Sequence, residues 1–177
     1  MNRDKVVLVD ENDTAIGEME KLEAHVKGAL HRAFSVFLFN EKGEMLLHQR
    51  AAGKYHGANL WTNACCSHPQ WGEAVRQSAM ERLEYEMGLS CDLEHRFSFL
   101  YQTPVENNLI EHEFDHVFTG TIPGDCLITP NPEEVQDHRW IAPDALEKDI
   151  AAHPERYTFW FKKALGVLRE REWLESV

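Results

Sequence analysis

The stretch Leu30-His-Arg-Ala-Phe-Ser-Val-Phe-Leu-Phe39 constrains the fold more than any other part of the chain. Its aromatic and β-branched residues suit a pleated, packed surface better than a helix. Asn40-Glu-Lys-Gly43 then supplies turn chemistry, and Met45-Leu-Leu-His-Gln-Arg50 follows at once, so the pattern predicts a hairpin. Lys5-Val-Val-Leu-Val9, ended by Asp10-Glu-Asn-Asp13, reads as an earlier strand. The segment from Gly17 to His25 reads as a second strand leading into a helical turn. A loop with Gly53 and Gly57 delivers the chain to Trp61.

From Glu73 to Met87 the apolar residues Val75, Ala79, Leu83 and Met87 recur every four positions, with Gly88 where a C-cap belongs. That spacing predicts a helix, whose other faces carry Arg76, Arg82 and Glu86. His95–Tyr101 and Ile110–Ile122 read as strands around the loop Pro104–Asn108, and Val135–Ile141 as one more, running into Ala142–Glu147. Alternation in the second of these sets Glu111, Glu113 and Asp115 on one face and His112, Phe114 and His116 on the other. Phe161, Leu165, Leu168 and Trp173 have helical spacing, so an amphipathic helix over 159–173 closes the chain. Strands and helices interleave without the regular alternation of a doubly wound sheet. The expected fold class is α+β, a layered α/β/α arrangement with a mixed β-sheet. With 177 residues and no repeat, low-complexity tract or linker, 1–177 is expected to be one domain.

Charge narrows the partners. Thirty acidic against eighteen basic residues give a net charge of −12, which argues against nucleic acid but leaves room for a small anion where bases cluster. The longest apolar runs, such as Phe34 to Phe39, are too short for membrane insertion, and the N-terminus lacks a signal-peptide core, so a cytoplasmic location is expected. The four cysteines, at 65, 66, 91 and 126, form no disulfide framework, and a bridge between adjacent Cys65 and Cys66 would be strained. All four are expected as thiols.

The densest chemistry lies in Trp61-Thr-Asn-Ala-Cys-Cys-Ser-His-Pro-Gln-Trp-Gly-Glu73. Cys66 and His68 share one face if the backbone is extended, and Cys65 then points the other way, as a small core residue. A thiol beside an imidazole serves as nucleophile, acid/base pair or metal site, or is an accident of packing, and the pair alone leaves these open. A second constellation is His25, His31, His68, Glu111 and Glu113. Imidazole and carboxylate together suit a borderline or hard divalent cation, and five ligands leave one position of a near-octahedral site open. Taken singly, each histidine is more often an ordinary surface or core residue, and Glu-x-Glu also fits the wet face of a strand. The combination is what points to a metal.

Ser67 to Leu89 resembles the Nudix box, G-x5-E-x7-R-E-U-x-E-E-x-G-U with U aliphatic: Glu73, Leu83, Glu86, Gly88 and Leu89 match. Ser67 replaces the first glycine, Glu81-Arg82 stands where Arg-Glu is expected, and Tyr85 replaces one acid. Those departures, with Leu30–Phe39, Trp61-Thr-Asn63, Cys66-Ser-His-Pro69 and Ile110-Glu-His-Glu113, make the chain similar to the type I isopentenyl-diphosphate isomerases from about Val6 to Trp160. The resemblance implies a Nudix-like fold and reversible 1,3-allylic rearrangement of isopentenyl to dimethylallyl diphosphate, in isoprenoid biosynthesis, through a carbocation-like intermediate. It implies that Cys66 and Glu113 are the acid/base groups and that Tyr101 assists the glutamate. It makes His25, His31, His68, Glu111 and Glu113 ligands of a resident divalent metal, Mn2+ or Zn2+. Glu86, with the backbone carbonyl of Cys66, matches a Mg2+ site formed with the diphosphate. Lys21, Arg50, Lys54 and Arg82 match the phosphate-binding bases, and Trp160 the aromatic facing the hydrocarbon. The expected partner is a small-molecule diphosphate, the expected state a monomer or weak homodimer. Two other readings stand beside this one: a Nudix pyrophosphohydrolase, and a non-catalytic divalent-metal-binding protein that would need neither Cys66, Tyr101 nor Trp160.

Overall fold

The computed structural model of the chain describes residues 3–54 and 56–173, and it sets the apolar stretch of the thirties in the middle of a mixed sheet. In chain order the elements are β1 (Lys5–Val9), β2 (Ala15–Glu20), α1 (Lys21–Lys27), β3 (His31–Phe39), β4 (Met45–Arg50), β5 (Trp61–Thr62) and β6 (Cys65–Ser67). There follow α2 (Val75–Met87), β7 (Glu94–Pro104), β8 (Ile110–Thr121), β9 (Val135–Ile141), α3 (Pro143–Ala152) and α4 (Phe159–Leu168). Arg169–Trp173 continues α4 as a π-helical turn, and the side chain of Trp173 lies outside the described part.

β3 pairs in parallel with β8 along its whole length, from His31 opposite Glu113 to Phe39 opposite Thr121. Its other edge is shared: Leu8 of β1 meets His31, β6 takes Phe34 to Val36, and β4 meets only Phe39, through Met45. The expected β3–β4 hairpin is thus reduced to its turn, where Asn40 Oδ1 accepts from the N–H groups of Lys42 and Glu44. With both edges of β3 occupied, β4 swings away and pairs antiparallel with β9, from Met45 opposite Ile141 to Arg50 opposite Val135.

Alternation along β3 feeds two cores. Phe34, Val36 and Leu38 pack with Cys65, Phe118 and the Ala79, Leu83 and Met87 stripe of α2. Phe37 points the other way, to Met45, Leu47, Val117, Leu146 of α3 and Phe161, Leu165 and Leu168 of α4. This is the expected α/β/α layering, and each such fully buried side chain contributes roughly 1.5–3 kcal/mol. α2 begins at Val75, two residues later than its spacing predicts, and ends at Gly88, whose φ of 65° lets its N–H reach back to Glu84 O. α3 extends past the Ala142–Glu147 segment, and Leu146 is its one buried residue, too little to set up a periodic signal. Among the described residues no helix is long and apolar enough to cross a membrane, and all four cysteines are free.

Candidate active site

The face of the sheet that carries Phe37 carries His31, Ala33 and Ser35 further back along β3. Strand pairing lines up Cys66 with Ser35, Glu113 with His31, Asp115 with Ala33, and Tyr101 with Glu113. The three carboxylates that alternation placed on one face are not on a wet one: Glu111, Glu113 and Asp115 are 3%, 7% and 1% exposed. α1 lays His25 over the end of this face, and the extended β6 delivers Cys66 and, two residues on, His68.

The histidines are oriented from behind. His25 Nδ1 lies 2.6 Å from Lys21 O and His31 Nδ1 2.9 Å from Ala29 O. A carbonyl only accepts, so Nδ1 of each ring carries a proton, and in the neutral ring Nε2 presents a lone pair. Those lone pairs face carboxylates: His25 Nε2 is 2.9 Å from Glu111 Oε1 and His31 Nε2 is 3.5 Å from Glu113 Oε2. His68 Nε2 sits 3.0 Å from the same Glu113 oxygen. Lone pair against carboxylate is repulsive unless a proton or a cation lies between. His31 Nε2 and Glu111 Oε2 are, among the described residues, buried atoms without a hydrogen-bond partner. Ligand atoms of His25, His31 and His68 lie within 4.8 Å of one another, as do those of His31, Glu111 and Glu113. Imidazoles held through Nδ1–H by backbone carbonyls, with Nε2 converging on carboxylates, are the donor set and outer support a divalent cation requires. The five residues fit a metal.

Cys66 has its own frame. Its thiol donates to Asn63 Oδ1 at 2.9 Å, with Ser35 Oγ 3.6 Å from the sulfur. Asn63, fully buried, has its amide nitrogen tied to Val36 O and Cys65 O at 2.8 and 3.1 Å, which leaves its oxygen directed at Cys66. Thr158, the N-cap of α4, donates to Thr62 Oγ1, and Thr62 donates to Asn63 Oδ1, so the start of the helix bearing Trp160 is hydrogen-bonded through to the sulfur. Ser35 Oγ donates to Asp115 Oδ2 at 2.8 Å. Burial pushes the Cys66 thiol up, and nearby Asp115 adds to this, so it holds its proton. Burial works against ionisation of Glu113 too, but with protons on Nε2 of His31 and His68 the hydrogen bonds and charge from these rings outweigh that and hold its carboxyl well below the usual range. Burial, then the charge of Glu113, raises Asp115 well above its range. The Tyr101 hydroxyl donates to Glu113 Oε1.

Cys66, His25, His68, Glu111, Glu113, Glu86, Trp160 and the four bases Lys21, Arg50, Lys54 and Arg82 line one cavity. His31 and Tyr101 are not in its wall and touch Glu113 from outside it. The bases are scattered over sixty-odd positions of sequence, and the fold gathers them. Arg82 pairs with buried Glu86 at 3.0 Å and stacks over the Tyr85 ring at 4.5 Å, while Lys54 pairs with Glu134. Burial, then repulsion from Lys54 and Arg50, lowers the pKa of Lys21. The Arg50 guanidinium lies 5.0 Å over Trp160 and donates to His56 O. Glu86 also accepts from the Cys65 thiol at 3.7 Å, from the α2 side of β6. Cys65 is the buried core residue expected.

Sequence reasoning misses three site residues. His56 Nε2 is 3.2 Å from Glu111 Oε1, and its ring centre is 5.1 Å from that of Trp160, yet it sits in an aperiodic loop that gives no signal. Asn63 and Ser35 stand inside longer motifs and carry no separate signal of their own. Glu73, the first glutamate of the Nudix pattern, turns away from the cavity wall. It pairs with Arg3 at 3.1 Å and accepts from Gln70 N–H and Ser78 Oγ, bracing the entry to α2.

The comparisons with known proteins agree with this construction. Residues 29–161 match the NUDIX domain family. The crystal structure of DR0079 from Deinococcus radiodurans superposes with a TM-score of 0.66, covering 84% of this chain and 89% of that one at 21% identity, which shows the fold alone. Isopentenyl-diphosphate Delta-isomerase 1 of Aromatoleum aromaticum is 47% identical over 162 residues, 92% of this chain and 90% of that protein. Isopentenyl-diphosphate Delta-isomerase 2 of Photorhabdus laumondii is 48% identical over 163 residues, 92% of this chain and 91% of its own. A Nudix sheet with a degenerate box, a thiol and a histidine–glutamate cluster on one cavity, and near-half identity over nine-tenths of its length together establish that the chain belongs to the isopentenyl-diphosphate Delta-isomerase family.

Proposed function

We propose that this chain, acting as a single domain, interconverts isopentenyl and dimethylallyl diphosphate by adding a proton to one end of the allylic unit and removing one from the other. The observation that carries the reading is that Cys66 and Glu113, 47 positions apart in sequence, line one cavity together with Trp160 and four cationic side chains.

Each group has a distinct part in the reaction. Lys21, Arg50, Lys54 and Arg82 bind the diphosphate, whose remote binding energy holds the alkene in place. Glu113 and Cys66 exchange protons with the terminal alkene carbon and with the carbon nearer the oxygen, and the two swap roles when the direction reverses. An alkene is a weak base, so the donor must be positioned against the π-bond. Tyr101 fixes one Glu113 oxygen, and Asn63 and Ser35 fix the sulfur. The tertiary cation between the two steps would be captured by water, so the site must be dry; Cys66 is only part-exposed and Glu113 is buried. Trp160 offers an electron-rich face, worth about 2 kcal/mol for a desolvated cation. Enzymes supply at least ~8 kcal/mol, so positioning and exclusion of water contribute the larger share.

His25, His31, His68, Glu111 and Glu113 would hold a divalent metal, Mn2+, Zn2+ or Mg2+ according to supply, and Glu86 with the Cys66 carbonyl a Mg2+. When bound, these ions supply positive charge that orders the Glu113 carboxylate and neutralises the diphosphate.

The test is incubation of the purified protein with isopentenyl diphosphate and manganese or magnesium. The expected result is dimethylallyl diphosphate without phosphate release, abolished in Cys66→Ala and Glu113→Gln. Liberated phosphate would identify a pyrophosphohydrolase. No turnover with any divalent metal would leave a metal-binding protein, and undiminished turnover in Cys66→Ala would remove that residue from the chemistry.

A further inference from the structure

The reverse side of the sheet carries a second group of histidines that the isomerase chemistry does not use. Along β8 the side chains facing away from Glu113 include His116, and Ser98 of β7 is its cross-strand partner. A register shift between His95 and Phe97 inserts an extra residue into β7, so His95, three positions before Ser98, comes round to the same side. Three polar atoms meet there. His95 Nε2 is 3.1 Å from His116 Nδ1, His95 Nε2 is 3.1 Å from Ser98 Oγ, and Ser98 Oγ is 3.0 Å from His116 Nδ1.

The outer support is also present. His116 Nε2 lies 2.8 Å from Asp13 Oδ2, and an ionised carboxylate only accepts, so the ring proton is on Nε2 and Nδ1 turns a lone pair into the triangle. Asp13 is held in place by Arg32, which donates to its carboxylate at 2.7 Å and to its backbone oxygen at 2.6 Å. A histidine whose far nitrogen is braced by a carboxylate is the usual second layer of a metal site. Metal–nitrogen bonds of about 2.0–2.1 Å meeting at about 90–110° put adjacent nitrogens about 2.8–3.4 Å apart, and the two imidazoles here stand within that window. His95 is exposed and His116 part-buried, which leaves the remaining positions open to water.

We propose that His95 and His116, with Ser98 Oγ or water completing the shell, form a second metal site for a borderline divalent transition ion of the Zn2+ or Cu2+ class. The ion would clamp β7 to β8 and, through Asp13 and Arg32, tie both to the β1–β2 turn and to β3. It takes no part in isomerisation, so its test stands whether or not that reading does.

Calorimetric titration of the intact protein with Zn2+ alone decides it. Wild type should take up one more equivalent than His95→Gln or His116→Asn. Asp13→Asn should weaken that equivalent roughly 10- to 100-fold, as loss of an outer-shell partner does. His95→Gln should leave isomerase turnover unchanged while abolishing part of the Zn2+-dependent rise in Tm. The same stoichiometry in wild type and both histidine variants would overturn the proposal. Should the variants fail to fold, ring-nitrogen NMR of the wild type answers instead: saturable shifts of His95 and His116 with Zn2+ support the site. Signals unmoved at these two rings, while those of His25, His31 or His68 respond, would overturn it and leave a plain hydrogen-bonded cluster.

Discussion

Replacing Tyr101 by phenylalanine removes one oxygen atom and little else. The ring is buried, stacked against Phe99 with centres 5.5 Å apart and tilted against Phe159 at 6.4 Å, contacts a phenylalanine keeps. What disappears is the hydrogen bond to Glu113 Oε1. A hydrogen bond to a charged group is worth about 1.5–3 kcal/mol. If that bond steadies Glu113 as it passes or receives the proton, the loss falls on the transition state and lowers kcat about 10- to 150-fold, at a factor of ten per 1.36 kcal/mol. Tyr101 does not line the cavity in which Lys21, Arg50, Lys54 and Arg82 stand, so KM should move by no more than about threefold. Steady-state turnover of isopentenyl diphosphate, followed through the acid-labile allylic product, measures both constants. An unchanged kcat, or a raised KM at unchanged kcat, would refute the assignment of Tyr101 to Glu113.

Trp160→Leu keeps an apolar wall but loses the π-face, so kcat should fall about 30-fold, the equivalent of about 2 kcal/mol; a fall confined to KM would count against the cation-facing role. His48 is buried, and burial, helped by Arg50, takes its pKa down to about 3. The unfolded chain binds this proton near pH 6.5 and the folded one does not, so stability is complete above pH 6.5 and is lost as pH falls from 6.5 toward 3. At pH 5 the loss from His48 amounts to about 2 kcal/mol. His68 and His116, also lowered, add losses common to both proteins, so in urea unfolding wild type should lose about 2 kcal/mol more than His48→Gln between pH 7 and 5, and an equal loss in the two would disprove it. Gly88→Ala combines a φ of 65° with a Cβ placed 2.5 Å from Thr129 Oγ1 and 2.6 Å from Thr129 O. It should cost about 2–4 kcal/mol in urea unfolding, and a neutral result would mean that the 129 segment yields freely.

The fold is legible in the sequence where a short period rules. Four-residue spacing marks α2, and two-residue alternation puts Glu111, Glu113 and Asp115 on one face of β8, because both follow from local geometry. Whether that face is wet or buried depends on α1 and β6 closing over it, which no local pattern encodes. The β3–β4 hairpin fails for a related reason. The turn at Asn40 forms as its chemistry predicts, but strand pairing is a competition among distant segments, and β8 and β6 win the edges of β3. His56 lies in a loop whose conformation is set by its ends and by Glu106, which accepts from Gly57 N–H at 2.7 Å, so nothing nearby in the chain marks it. The gathering of the four bases is carried by resemblance; spacing gives no hint of it.

The alliance of β3 with β8 dictates a timetable. His31 and Glu113 are partners across 82 positions, 113 less 31, so a ribosome working at about 5–20 residues per second needs about 4–16 s to emit the second strand after the first. Throughout that wait the most apolar stretch of the nascent polypeptide has greasy surfaces on both sides and at least one bare edge. Chains released early, before Thr121 has been added, are therefore expected to clump or to recruit holding chaperones, and slowed translation between α2 and β8 would lengthen the hazard.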